Sequence, residues 1–254
     1  MKRLLALMLS LLLLAGCAAV PSSSVQEPSS TAPQEAYFHC RVLYLLGDTL
    51  LLIPTDSDAL GDLFTLGLAD KPVFDAQGNP TEAAVKEGDL LTVTFDGSIQ
   101  AIWPSVLSGV SAVQITGHEE TLVPFYTEKL LELFKEDEGL NHEIQRISLD
   151  LTGVQNLTDA EKTAVEYILW CKSGVEVFAE TMAELKEQGF LGEDGMYYET
   201  GILLTMEDTA LENDSFLLSA MKWRSGLGAI GYSDAKAKKT ADGWTCVPEA
   251  WFIS

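Results

Sequence analysis

The sequence predicts an α+β protein, with a small all-β barrel over residues 36–118 and then helices laid on an antiparallel sheet over 120–254. Three observations predict it. First, the chain has 254 residues, 47% hydrophobic and 21% charged, enough to bury one large core or two small ones. That balance excludes a disordered chain, a collagen-like repeat and a disulfide-dense mini-protein. Second, apolar residues alternate with polar ones between turn formers up to residue 118. Third, beyond residue 120 the apolar period lengthens to that of helices, then returns to two.

The chain opens with an address. Lys2 and Arg3 precede an apolar run from Leu4 to Leu14 that only Ser10 interrupts. Eleven residues are too few to cross about 30 Å of hydrocarbon as a helix, so the run reads as a signal peptide over residues 1–16. From Ala18 to Gln34 the chain turns to Ser, Pro, Ala and Thr, with Pro21, Pro28 and Pro33. Residues 17–35 thus read as an anchor point and a semi-extended tether, reaching at most about 50–60 Å.

The barrel follows. Phe38, Cys40, Val42 and Tyr44 alternate with His39, Arg41 and Leu43, and Leu50–Ile53 follows a turn at Gly47-Asp48. Pro54–Gly67 reads as irregular. Val73-Phe74 leads into the turn formers Asp75–Pro80. Leu90–Phe95 and Ile99–Trp103 flank Asp96-Gly97, a hairpin signal, and Val110–Ile115 makes a last strand. About five short strands in such a span suggest a rolled sheet of OB-like type.

In the second half, Pro124 opens a helix whose Tyr126, Leu130, Leu133 and Phe134 share a face, with Gly139 as its stop. Ile144–Leu151 is a strand. Thr158 and Glu161 form a capping box for a helix with Val165, Ile168 and Leu169 inward. Val175, Phe178, Met182 and Leu185 mark a third helix, stopped by Gly189-Phe190 over Leu185. Tyr197-Tyr198, Ile202–Met206, Phe216–Trp223, Leu227–Tyr232 and Trp244–Ile253 then read as a strand meander, with a hairpin at Asp242-Gly243.

Three resemblances accompany these readings. Leu14-Ala15-Gly16-Cys17 resembles the bacterial lipobox, which implies cleavage before Cys17, a lipid on its sulfur and a position on the outer face of the cytoplasmic membrane. Gly88–Val93, Phe95–Ile99 and Trp103-Pro104-Ser105 resemble a small OB-like barrel domain of Gram-positive surface lipoproteins, whose pattern usually has tyrosine where Trp103 stands. That domain has no known activity. Trp223-Arg224-Ser225-Gly226-x-Gly228 weakly resembles uncharacterised domains of similar lipoproteins.

Charge and cysteines narrow the partners. The sixteen residues before Cys17 carry two bases and no acid, so the chain from Cys17 has 14 Lys and Arg against 38 Asp and Glu, a net −24. Such acidity repels nucleic acid and anionic headgroups, leaving the membrane, through the Cys17 lipid, and an envelope or protein partner. Cys40, Cys171 and Cys246 are odd in number, so at least one is free or pairs between molecules. Cys171 reads as a buried helix thiol, and a Cys40–Cys246 disulfide is one open arrangement.

Most searches for chemistry fail. No nucleophile elbow, phosphate loop or paired metal-ligand spacing is present. Ser219/Lys222 and Ser233/Lys236 match S-x-x-K, but both lie in expected strands and Lys239-Thr240-Ala241 lacks the glycine of K-T-G. Asp56, Asp58 and Asp62 are a weak calcium candidate, because Leu60 and Gly67 stand where an EF-hand loop needs ligands. Glu136-Asp137-Glu138 sits at a helix C-terminus, where acids are unfavourable. Trp223, Arg224 and Ser225 make a candidate ligand grip, a guanidinium beside a glycine turn with a stacking wall. The alternative reading of Arg224 is a turn residue bonded to a local acid such as Asp214. Trp103, Trp244 and Trp251 read as core or sheet-face residues. No cofactor is expected. The resulting expectation is a non-catalytic binding module for an envelope, protein or small-solute partner. A carboxylate-dependent extracellular hydrolase and a structural protein without small ligand are the alternatives.

Overall fold

A computed structural model describes residues 35–56, 63–192 and 194–254. The lipobox, the tether, Asp58 and Asp62 lie outside them. Residues 34–254 form one compact unit that is mostly β, built on two sheets.

The first sheet contains β1 (Ala36–Leu46), β2 (Thr49–Pro54), β3 (Phe64–Gly67), β4 (Val73–Phe74), β5 (Asp89–Phe95), β6 (Ile99–Gln100), β7 (Ser105–Leu107) and β8 (Val110–His118). Their spatial order is β4-β8-β5-β1-β2-β3-β7-β6, a sheet that curls into a half-barrel. Phe38, Val42, Leu50, Leu52, Phe64, Leu91 and Val93 fill the inside of the curl. Leu43 and Leu51 point the other way, into the second half of the protein. Burial on both faces explains why Leu50–Ile53 is an unbroken apolar run rather than an alternating one.

Two local expectations here are corrected. The stretch read as irregular contains β3, whose Phe64 and Leu66 supply a short alternation and which pairs with β2 and β7. Asp96-Gly97 turns the chain but does not close a hairpin between β5 and β6. β5 is already flanked by β1 and β8, so β6 pairs with β7 instead.

The second sheet contains β9 (Arg146–Gly153), β10 (Glu176–Ala179), β11 (Gly201–Asp208), β12 (Ser215–Ser225), β13 (Gly228–Thr240), β14 (Gly243–Cys246) and β15 (Phe252–Ile253). The order is β10-β9-β11-β12-β13-β14, with β15 also on β13. Three helices accompany it: α1 (Val123–Lys135), α2 (Asp159–Ser173) and α3 (Met182–Glu187). The strands from β11 to β14 are antiparallel, and Thr240 pairs with Gly243 across the expected Asp242-Gly243 turn. However, β9 runs parallel to both β10 and β11. Helical connections impose this, because a crossover returns the chain in the same direction.

The expected third helix is two elements. Val175 and Phe178 have helical spacing with Met182 and Leu185, but Gly174 ends α2 in the left-handed region and Glu176–Ala179 joins the sheet edge. The real helix, α3, starts at a capping box made by Thr181 and Glu184. Its stop is as expected: Phe190 N–H bonds Leu185 O at 3.0 Å and Gly189 N–H bonds Lys186 O at 3.2 Å. The capping box at Thr158 and Glu161 is likewise present.

Helices cover both faces of this sheet rather than one. α1 and α2 pack with Ile147, Leu149, Ile202, Leu204 and Leu218 in the main core, which also takes in Leu43 and Leu51 of the first sheet. α3 places Leu185 on the opposite face with Tyr198 and Leu203. Among the described residues no helix is long and apolar enough to cross a membrane.

Candidate functional site

The topology marks a place for a site. After β9 the chain passes to α2 on one face, and after the neighbouring β10 it passes to α3 on the other. A sheet whose adjacent strands send their connections to opposite faces opens a crevice at its carboxyl ends. A cleft of about 300 Å³ lies there. Its walls come from the ends of β9 and β10 and the first turns of α2 and α3, and they carry Asp150, Asp159, Glu166, Glu180 and Glu184 against a single base, Lys162.

Most of these carboxylates are held by their own chain. Glu180 accepts from Arg146 Nη2 at 2.6 Å and Ser148 Oγ at 2.8 Å, and Ser148 meets the Tyr198 hydroxyl at 3.1 Å. The Arg146 guanidinium lies between the Phe178 and Phe190 rings, 4.1 Å from each centroid. Glu184 accepts from Thr181 N–H and Oγ at 2.8 Å, and Asp150 accepts from Thr152 N–H at 3.0 Å. Glu166 differs: partial burial raises its carboxyl above the usual range, against a lowering from the Ala179 N–H.

Glu166 also borders a second, smaller pocket of about 130 Å³, so the two adjoin along α2. Trp103, Tyr167, Trp170 and Phe178 line it with Glu176. Trp103 was expected in a core or on a sheet face. It is instead 54% exposed, with its ring edge-on to Tyr167.

The residues singled out from the sequence do other work. Trp223 and Arg224 alternate on β12, and Trp223 packs half-buried on the α3 side. Arg224 donates to the carbonyls of Leu140 (2.9 Å), His142 (2.6 Å) and Glu199 (3.1 Å), and Ser225 Oγ accepts from Leu227 N–H. The guanidinium therefore binds backbone oxygens of its own chain rather than Asp214. Lys222 is fully buried, and its Nζ donates to the carbonyls of Phe134, Glu136 and Asp137 and to Asn141 Oδ1. Ser219 stands three residues away on the same strand, so the pair points to opposite faces. Trp244 packs on Phe216 and donates to Glu120, and Trp251 lies edge-on to Tyr232.

Asp56 is exposed after β2, and among the described residues no three His, Cys, Asp or Glu side chains converge as metal ligands. Cys40, Cys171 and Cys246 are free thiols. Cys171 is exposed rather than buried, since it follows Trp170 on the outer face of α2 while Ile168 and Leu169 take the core.

The chain matches no family profile, no curated protein and no solved structure.

The sequence reading missed the groove. Its acids are five among 38, and nothing local distinguishes them. A usable signal was present in the strand ending at Gly153 followed by a capped helix, which is the start of a β-α-β unit.

Proposed function

We propose that this protein is a lipid-anchored, extracytoplasmic binding protein whose groove at the carboxyl ends of β9 and β10 holds a cationic group of its ligand. The observation that carries this reading is a concave site at a topological switch point where Asp150, Asp159, Glu166 and Glu184 face one lysine, Glu180 being paired with Arg146. A low-dielectric cleft focuses that charge, and a net −24 from Cys17 onward concentrates cations around the whole molecule. Asp150 and Glu184 are fixed by hydrogen bonds from their own chain, while the Arg146 guanidinium pairs with Glu180 and offsets its charge.

The address rests on Leu14-Ala15-Gly16-Cys17 and its charged, apolar lead. The tether gives clearance from the membrane, and the curled first sheet serves as an OB-like barrel bracing the groove from the Trp103 side. The partner is a small cationic solute or the basic groups of an envelope polymer or protein. No cofactor enters.

The test is calorimetric titration of the full-length chain in non-ionic detergent with spermidine, and with citrate as the anionic control. Spermidine should bind and citrate should not, and Asp159→Asn with Glu166→Gln should weaken spermidine about ten-fold or more. Equal binding of both, or of neither, would overturn the reading. Mass spectrometry of the protein from the membrane fraction should find a mature chain beginning at an acylated Cys17; an unmodified Cys17 would remove the lipid anchor.

A further inference from the structure

The aromatic end of the groove has a shape that its acidic end lacks. Trp103 reaches it from the loop between β6 and β7, while Tyr167 and Trp170 stand three residues apart on one face of α2. The Trp103 and Tyr167 rings are 5.4 Å apart at 90°, and Tyr167 and Trp170 are 5.9 Å apart at 76°. Tyr167 thus stands nearly at right angles to each of the two tryptophan rings and makes a corner with them. A corner offers no broad flat face on which a sugar or a base could stack, but it wraps a small rounded group.

The pocket's charge selects further. Glu166 and Glu176 line it and no lysine, arginine or histidine does. Phe178 contributes less, because one of its faces is already covered by the Arg146 guanidinium. Trp103 and Trp170 stay 54% and 41% exposed although each packs against Tyr167. So much apolar surface in one place, ringed by carboxylates, marks a binding site more often than a bare surface. Aromatic faces attract a cation through their quadrupole, most strongly one that gives up little hydration, and neighbouring carboxylates add to the attraction.

We propose that Trp103, Tyr167 and Trp170, with Glu166 and Glu176, form a binding site for a quaternary ammonium group. This rests on the reading that the groove takes cations, and it names the class of cation. A quaternary ammonium has no N–H to satisfy, so a pocket of ring faces suits it. A primary amine keeps its hydrogen-bond needs and is served by the carboxylates of the neighbouring cleft.

The full-length chain in non-ionic detergent is titrated with choline, with ethanolamine and with dimethylbutanol, the uncharged carbon isostere of choline. Tryptophan fluorescence and calorimetry give the two readouts. Choline should bind about ten-fold or more tightly than either analogue. Trp103→Ala and Trp170→Ala should each weaken choline about ten-fold, with a cooperative unfolding transition showing that each variant is folded. Equal binding of choline and dimethylbutanol would reduce the site to an apolar pocket and overturn the proposal. So would choline binding unaffected by both tryptophan variants, or protection of the same tryptophans by N-acetylglucosamine in place of choline. Spermidine binding without choline binding would remove only this proposal; failure of both would remove the cation reading of the whole groove.

Discussion

Lys222 is the residue whose role the sequence least suggested. Its side chain leaves β12 on the face that packs against α1, and its ammonium sits under the last turn of that helix. There it satisfies carbonyls that a helix C-terminus leaves without partners. The Glu136-Asp137-Glu138 run, unfavourable for the helix dipole alone, lies over this buried cation and favours its charged form. Burial wins over the three acids: the Lys222 pKa falls from 10.5 to about 8. Below about pH 8 both folded and unfolded chains hold the proton. Between about 8 and 10.5 the unfolded chain keeps a proton that the folded one has released, so stability contributed at this site rises with pH. The difference in unfolding free energy between wild type and Lys222→Met, followed by denaturant titration, should therefore grow across that window. A flat or falling difference would contradict the assignment. Near neutral pH the same substitution should cost about 2 kcal/mol, since it strands several buried carbonyls. The arginines follow one pattern. Arg41, Arg146 and Arg224 each bind carboxylates or carbonyls of their own chain, so the guanidinium suspected of gripping a ligand is holding the fold.

Among the elements, α2 shows how far local signals reach. Thr158 and Glu161 announce its start, and the structure shows both bonds of the capping box. Thr158→Ala should lower stability by about 1 kcal/mol in thermal or denaturant unfolding. What no local pattern gives is the second partner of Glu161. Arg41 Nη2 reaches it at 2.7 Å from β1, across 120 positions of sequence, and both side chains are largely buried. A double-mutant cycle with Arg41→Met and Glu161→Gln should show a coupling of about 1–3 kcal/mol, well above that of an exposed pair. Coupling near zero would mean the pair does not tie the first sheet to α2. β10 is the opposite case. Its residues fit a helical period, and only its pairing with β9 makes them a strand. The clue that was legible is the capping box at Thr181 and Glu184, which places the helix start after the strand. At Asp96-Gly97 the turn residues were read correctly but the partner was not, because both edges of β5 belong to strands distant in sequence.

At the scale of the whole molecule, the main core crosses the boundary suggested by the change of apolar period near residue 119. Leu43, Leu51 and Leu63 of the first half share one apolar cluster with α1, α2 and the second sheet. Residues 34–254 should therefore unfold in a single cooperative transition, with calorimetric and van't Hoff enthalpies in agreement. Leu51→Ala should shift that whole transition, at a cost of about 2–5 kcal/mol. Two separable transitions, with only the first moved by Leu51→Ala, would show that 36–118 and 120–254 unfold as independent bodies. The sequence by itself determined which stretches are strands and helices where period, cap and turn agreed. β1, β2, β5, α1, α2 and the Gly189 stop are of that kind, since their causes lie within a few residues. Tertiary structure alone decided the parallel pairing around β9, the burial of Lys222 and the convergence of Trp103 with Tyr167 and Trp170. The same holds for the five carboxylates at the ends of β9 and β10. Each depends on which distant segment arrives alongside, and a chain of 38 acids carries no local mark for the few that will face one another.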